Sequence, residues 1–280
     1  MTIAVLMSVY KNEKADRLER CIKSIWDDQT LKPDQVILVE DGPLSDELYQ
    51  VISTWQCKLK DKMDVLKNEV NLGLTKSLNK GISFVKTELI ARMDTDDQST
   101  PIRFEVQERY LKEHPEIDVL GGACNVINEK GESLYTQYFK KTHSEMIKQI
   151  CWRCPLPHPT VMMRTKMFTE KRLKYDERFR NSQDIALWVD AVLAGCKFAN
   201  IDDVVLNFTE DRGVYSRRGK VRAKNEYKSF SRAARLLYGR YSWRRILPIL
   251  RYSFRCLPVG LISYIYQSSF FKKVFSRKNN

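Results

Sequence analysis

The chain has 280 residues, 43% of them hydrophobic, enough to bury a full core as one large domain or as a domain with an appendage. Seven cysteines, an odd number at irregular spacings, exclude the framework of a small disulfide-stapled secreted protein. The net charge of +13 is unevenly placed: from Arg212 to Asn280 eighteen Lys/Arg face one acid, Glu226, so this segment carries +17 and the first 211 residues carry −4.

The N-terminus "MTIAVLMSVYKNEKADR" has no basic leader and no cleavage site, so no signal peptide is expected and the compartment reads as cytoplasmic. "IAVLMSV" (3–9) and "QVILVE" (35–40) are short apolar runs of the kind that buried parallel strands show. Between them Leu18, Cys21, Ile22, Ile25 and Trp26 recur at helical spacing. "MDVLKN" (63–68) predicts a third strand, Leu74, Leu78, Ile82 and Val85 a helical stripe, and "ELIARM" (88–93) a fourth strand. This alternation implies right-handed crossovers and a mostly parallel sheet. After residue 100 the rhythm changes. Strands are expected within 118–139 around an Asn-Glu-Lys-Gly turn, a helix from His143, a helix over 182–195 ending at Gly195, and two short strands in 197–210. A basic helical tail follows.

Ligands of open parallel sheets bind at the carboxyl ends of the strands. Four features lie at such ends: Ser8 and Tyr10 after the first strand, Asp41 in "VEDG" after the second, Asn71 and Gly73 after the third, and Asp94, Asp96 and Asp97 after the fourth. Three carboxylates within four residues repel one another and need a counter-charge. A solvated acidic turn is one reading. A calcium loop is a second, with Asp94, Asp96, Gln98 and Glu105 at positions one, three, five and twelve, but Ser99 replaces the required glycine and the entering segment reads as a strand. The third is a divalent cation that carries a substrate's phosphates, since magnesium and manganese pair one or two carboxylates with phosphate oxygens. No glycine-rich phosphate loop is present to do that work instead. "CWRC" (151–154) with His158 hints at zinc, but no second pair completes four ligands.

Taken together and in order, "VLMSVYKNE", "VEDG", "NLGLTKSLNKGI", "ELIARMDTDD", "HPTVM" and "SQDIALW" resemble the inverting family-2 glycosyltransferases of bacterial O-antigen, capsule and exopolysaccharide synthesis. The resemblance covers about residues 1–220. It implies an α/β chain of GT-A fold: a Rossmann-like, mostly parallel sheet with helices on both faces, plus a basic C-terminal helical tail. The GT-A domain would span 1–220, with a nucleotide-binding half (1–100) and an acceptor-binding half (101–220); residues 221–280 would be a membrane-associating tail.

The same resemblance implies roles residue by residue. Asp41 would contact uracil, with Ser8, Tyr10, Glu13 and Asn71 in the nucleotide pocket. Asn79 would lie near the diphosphate and Asp94 near the ribose or donor sugar. Asp96 with Asp97 would bind Mn2+ or Mg2+, and Asp184 would be the catalytic base. The family often has Glu-Asp where this chain has Gln183-Asp184, so only the aspartate transfers. His158 would stand near the acceptor or diphosphate, and Arg212, Arg217 and Arg218 would form a lid on the pyrophosphate. The Gln-x-x-Arg-Trp motif of processive synthases is absent, which points to addition of one sugar. The implied partners are a UDP-sugar, a polyprenyl-diphosphate-linked saccharide and an anionic membrane surface, at the cytoplasmic face of the inner membrane.

In the tail, Trp243, Ile246, Leu247, Ile249 and Leu250 interleave with Arg240, Arg244, Arg245 and Arg251, as in an interfacial helix. Nucleic acid is the rival partner, but no nucleic-acid motif stands beside these residues. A sugar nucleotidyltransferase is the rival enzyme, disfavoured because its glycine-rich, basic N-terminal loop is missing.

Overall fold

The computed structural model describes residues 1–179, 181–210 and 220–257. Its first half alternates strand and helix: β1 (Ile3–Val9), α1 (Ala15–Ile25), β2 (Gln35–Asp41), α2 (Asp46–Leu59), β3 (Met63–Asn68), α3 (Leu74–Ile82) and β4 (Leu89–Arg92). The second half runs β5 (Gln98–Ser99), α4 (Arg103–Glu113), β6 (Val119–Ile127), β7 (Ser133–Gln137), α5 (His143–Gln149), β8 (Met162–Arg164), α6 (Lys166–Thr169), α7 (Gln183–Leu193) and β9 (Phe198–Thr209). Two helices of the basic segment follow, α8 (Lys220–Tyr238) and α9 (Ile246–Arg255).

Among the described residues nine strands form one sheet in the order β3-β2-β1-β4-β8-β6-β9-β5, with β7 beside β6. The expected parallel pairing holds for β3, β2, β1 and β4. Beyond β4 the sheet is mixed: β8 is antiparallel to β4 and β6, β9 is parallel to β6, and β5 and β7 are antiparallel to their neighbours. The two short strands expected in 197–210 are one strand. Its pairing jumps from Gly122–Ile201 to Ala123–Val204, so Asp202 and Asp203 form a bulge where their polarity suggested a break.

Alternation along β1 divides the core into two. Val5, Met7 and Val9 face α1, α2 and α4, meeting Leu18, Ile22, Trp55 and Phe104. Ala4 and Leu6 face the other side, where Leu78 of α3 and Leu187 and Trp188 of α7 pack. The described part of the basic segment begins packed on this body. Ala223, Phe230, Ala233 and Ala234 of α8 are buried, Ser229 Oγ lies 2.7 Å from Ser182 Oγ at the start of α7, and Arg232 pairs with Asp190 at 2.5 Å. No helix among the described residues is long and apolar enough to cross a membrane.

Because Phe230 is 1% exposed and Tyr241, past the end of α8, is 94% exposed, the two should respond differently to truncation. Phe230→Ala is expected to destabilise the protein by about 3–5 kcal/mol, as for other buried aromatics. Tyr241→Ala should stay within about 0.5 kcal/mol of wild type. Urea unfolding midpoints decide this, and a small effect of Phe230→Ala would detach α8 from the body.

Candidate active site

The carboxyl ends of β1, β2, β3 and β4 share one edge of the sheet. β4 delivers Arg92 and then Asp94, Asp96 and Asp97, whose carboxylate oxygens lie within 4.8 Å of one another. A strand, not a helix, enters this cluster, which removes the calcium-loop reading. Asp97 is 1% exposed. One of its oxygens accepts the Thr209 amide at 2.9 Å, tying the end of β9 to the cluster, and Oδ2 has no partner among the described residues. Glu13, from the loop after β1, accepts the Thr95 hydroxyl at 2.7 Å and so faces the same group.

Burial, reinforced by the charges of Asp94 and Glu13, pushes the Asp96 carboxyl up to about 6. Asp97 is pushed up by burial and then by Asp96 and Asp94. Part of the counter-charge is Arg92, which is 2% exposed and forms an ion pair with Asp94 through Nη2. Its Nε and Nη1 have no partner among the described residues. Arg103, buried beneath it, donates to the Arg92 carbonyl at 2.8 Å, and burial with the Arg92 charge brings its guanidinium down to about 9. One guanidinium does not balance three aspartates and Glu13. An unpartnered buried oxygen beside converging carboxylates is the donor set a hard divalent cation requires. Asp94, Asp96 and Asp97 fit such an ion.

At the end of β2, Asp41 is buried and accepts the amides of Leu72 (2.8 Å) and Gly73 (2.9 Å) and the Asn68 side chain (3.1 Å). Asn71 donates to the Asp41 carbonyl at 3.2 Å. Gly42 makes this possible: its φ is +90°, and a Cβ there would lie 2.6 Å from the Asn71 nitrogen. Ser8 is half-buried at the end of β1, and Tyr10 is 46% exposed beyond it. Asn79 exchanges two hydrogen bonds with the Tyr175 backbone, donating at 2.8 Å and accepting at 2.9 Å.

Asp184 occupies the first turn of α7, two residues past Ser182 at the N-cap position. It is partly exposed, and burial raises its carboxyl above the ordinary range against the opposing pull of the Ile185 amide, the Cys154 thiol and Arg92. Cys154 Sγ lies 3.5 Å from Asp184 Oδ2, so this thiol stands against the carboxylate rather than in a zinc site. His158 is buried, with Nε2 at 2.7 Å from the Tyr175 hydroxyl, and burial with the Arg92 charge holds it well below its ordinary value. It is therefore a neutral hydrogen-bonding group between Tyr175 and Trp188. Arg212, Arg217 and Arg218 lie outside the described residues. The sequence reading missed Arg92 and Cys154. An arginine inside the apolar run "ELIARM", two residues before the acids, was the available signal for the first; nothing in the spacing of "CWRC" pointed to Asp184.

A parallel first half, a mixed second half and carboxylates gathered where the two meet define a GT-A fold. The chain belongs to glycosyl transferase family 2, whose family model matches residues 5–173. It is 32% identical to a glycosyltransferase of Haemophilus influenzae over 275 residues, covering 96% of this chain and 98% of that protein. It is 29% identical to the UDP-Gal:alpha-D-GlcNAc-diphosphoundecaprenol beta-1,3-galactosyltransferase of Escherichia coli, with 98% and 96% covered. Similar solved structures include S. aureus TarS 1-349 in complex with UDP-GlcNAc, at TM-score 0.66 and 18% identity over 100% of this chain and 77% of that one. The mannosyltransferase PcManGT from Pyrobaculum calidifontis, in complex with GDP-Man and Mn2+, matches at TM-score 0.65 and 14% identity, covering 98% and 83%.

The raised Asp96 carboxyl has a thermal consequence. A group whose folded pKa exceeds its unfolded value contributes stability at low pH that is lost as pH rises through the folded value, here about 6. Metal-free protein is therefore expected to lose stability through this group as pH rises from about 4 through about 6, and Asp96→Asn to flatten that slope. Mn2+ at neutral pH should raise the melting temperature of wild type more than of the variant. Melting curves across this range, with and without EDTA, check it; identical slopes in both proteins would exclude Asp96 as the source.

Proposed function

We propose that this glycosyltransferase moves one sugar, glucose, galactose or an N-acetylated form, from UDP to a polyprenyl-diphosphate-linked saccharide with inversion, in the assembly of O-antigen or another surface polysaccharide. The observation that carries the reading is the pairing of two unlike carboxylate sites: a crowded aspartate cluster suited to a cation, and a separate, partly exposed Asp184 with a raised pKa. The donor and acceptor classes are supported by the relative whose name gives UDP-Gal and a diphosphoundecaprenol acceptor.

In this reading Asp96 and Asp97, with Asp94 beside them, hold Mn2+ or Mg2+, and Mn2+ is supported by the ion in the mannosyltransferase complex. When bound, such an ion supplies Lewis-acid stabilisation to the departing diphosphate. Asp41, Asn71, Ser8, Tyr10 and Glu13 line the uridine side. Asp94, braced by Arg92, faces the ribose or sugar, and Asn79 stands toward the diphosphate. Asp184 accepts the acceptor hydroxyl's proton as the oxygen attacks the anomeric carbon opposite the leaving UDP. A base whose pKa is raised by burial takes that proton more readily than an ordinary aspartate. His158, held neutral, stands near the acceptor or the diphosphate. The enzyme works peripherally at the cytoplasmic face of the inner membrane, held by its basic segment on anionic lipid.

Two experiments test this. EDTA should abolish transfer, Mn2+ or Mg2+ should restore it, and Asp96→Ala should be inactive yet folded; full activity in chelator would refute the metal role. Asp184→Asn keeps shape and hydrogen-bonding capacity but cannot take the proton, so kcat is expected to fall by about 10²-fold or more with UDP affinity unchanged. Normal turnover in that variant would move the base elsewhere.

A further inference from the structure

The turn Trp243–Arg245 and α9 show solvent a face unlike the rest of the surface. Trp243 (69%), Ile246 (51%), Ile249 (48%) and Leu250 (58%) are exposed at the spacing of one helical face, continued by exposed Ser253. The opposite face points inward. Leu247 packs on the second core, Pro248 is buried, and the Tyr252 ring lies 5.4 Å from that of Tyr227. The charged groups of this helix are also on the inner side, where Arg251 (3.1 Å) and Arg255 reach Glu226 of α8. The usual order is partly reversed: the ion pairs lie inside beside Leu247 and Pro248, and Ile246, Ile249 and Leu250 lie outside.

That inversion decides the sign of the surface. Glu226 is the one acid between residues 212 and 280, it is 7% exposed, and Arg222 joins Arg251 and Arg255 on its carboxylate. No carboxylate of α8 or α9 is left to face outward. Around the apolar face stand Arg240, Arg244 and Arg245. Arg244 lies over the rings of Tyr238 (4.1 Å) and Trp243 (5.5 Å), and Arg245 donates to the Arg240 carbonyl at 2.7 Å. Beside them a cavity of about 420 Å³ brings Ser231, Ser242 and Arg245 together with Trp243, Ile246 and Ile249. Hydroxyls and a guanidinium next to aliphatic and indole surface suit a phosphate joined to an apolar chain.

We propose that this face docks on an anionic phospholipid leaflet, with Trp243, Ile246, Ile249 and Leu250 entering the interface and the cavity beside Arg245 taking a lipid phosphate. The inference rests on the membrane reading of the basic segment and adds where the contact is made. Charge complementarity names the partner: a cationic rim to which α8 and α9 add no exposed acid matches an anionic leaflet, and the apolar centre gains by leaving water. A nucleic-acid backbone would satisfy the arginines but offers nothing to three exposed aliphatic side chains.

The test uses the full chain and flotation with phosphatidylcholine vesicles, with and without phosphatidylglycerol. Wild type should float with the anionic vesicles and much less with the neutral ones, and salt should bring the first down toward the second. Trp243→Ser with Ile246→Ser should lower vesicle affinity at least tenfold, with melting temperature and transfer to a water-soluble acceptor unchanged. Arg245→Gln with Arg244→Gln should erase the preference for anionic vesicles. If the Trp243/Ile246 variant floats like wild type, contact lies elsewhere in the basic segment: the membrane reading survives and this surface does not. If wild type fails to float, both are overturned. A gel shift on RNA or DNA lost in the same variants, without flotation, would assign the face to nucleic acid.

Discussion

Asp94, Asp96, Asp97 and Glu13 are drawn to one place, and among the described residues a single buried guanidinium, Arg92, forms an ion pair within the group. Everything at this sheet edge follows from that imbalance. Arg92 is held by β4 between the two core layers, and its carbonyl is in turn held by Arg103. Like charges near each other in a poorly hydrated place cannot all remain ionised, so either protons or a cation must make up the difference. The fold thus has a site whose stability depends on what occupies it, set in a framework of strands that does not.

That framework was largely legible in the sequence. β1 and β2 follow the quoted apolar runs, β2 running one residue further, because both faces of the parallel half are covered by helices, which leaves no polar alternation to blur the signal. The second half was harder. Its strands pair with partners distant in sequence, and the bulge at Asp202–Asp203 breaks the periodicity on which a strand is recognised. Besides the four-residue α6, two longer helices went unread for different reasons. α2 carried a plain signal, Ser45 as N-cap and Leu48, Ile52, Trp55 and Leu59 at helical spacing. α4 hid its own, because two of its buried positions are Arg103 and Gln107.

The aspartates of the site were visible because charges crowded after a buried strand are unusual whatever the family. Their supports were not, because a supporting contact is a tertiary fact. Arg92 beside Asp94, Cys154 against Asp184 and the Thr209 amide on Asp97 join residues between 2 and 112 positions apart. The basic segment divides in a way composition could not reveal. α8 carries many positive residues yet is built into the second core, whereas the exposed apolar residues lie on the turn before α9 and on α9 itself.

Hydrogen bonds at two helix entrances carry a last consequence. In nucleotide-binding sheets the positive end of a helix dipole commonly receives phosphate. Here the amide of Lys14, leading into α1, is held by Glu13 at 2.9 Å, and the amides of Leu72 and Gly73, leading into α3, are held by Asp41. At each entrance an amide at or just before the N-cap already holds a carboxylate of the protein. Carboxylates therefore stand at this edge where another fold would offer an anion backbone amides, and the helix entrances lend it less positive charge.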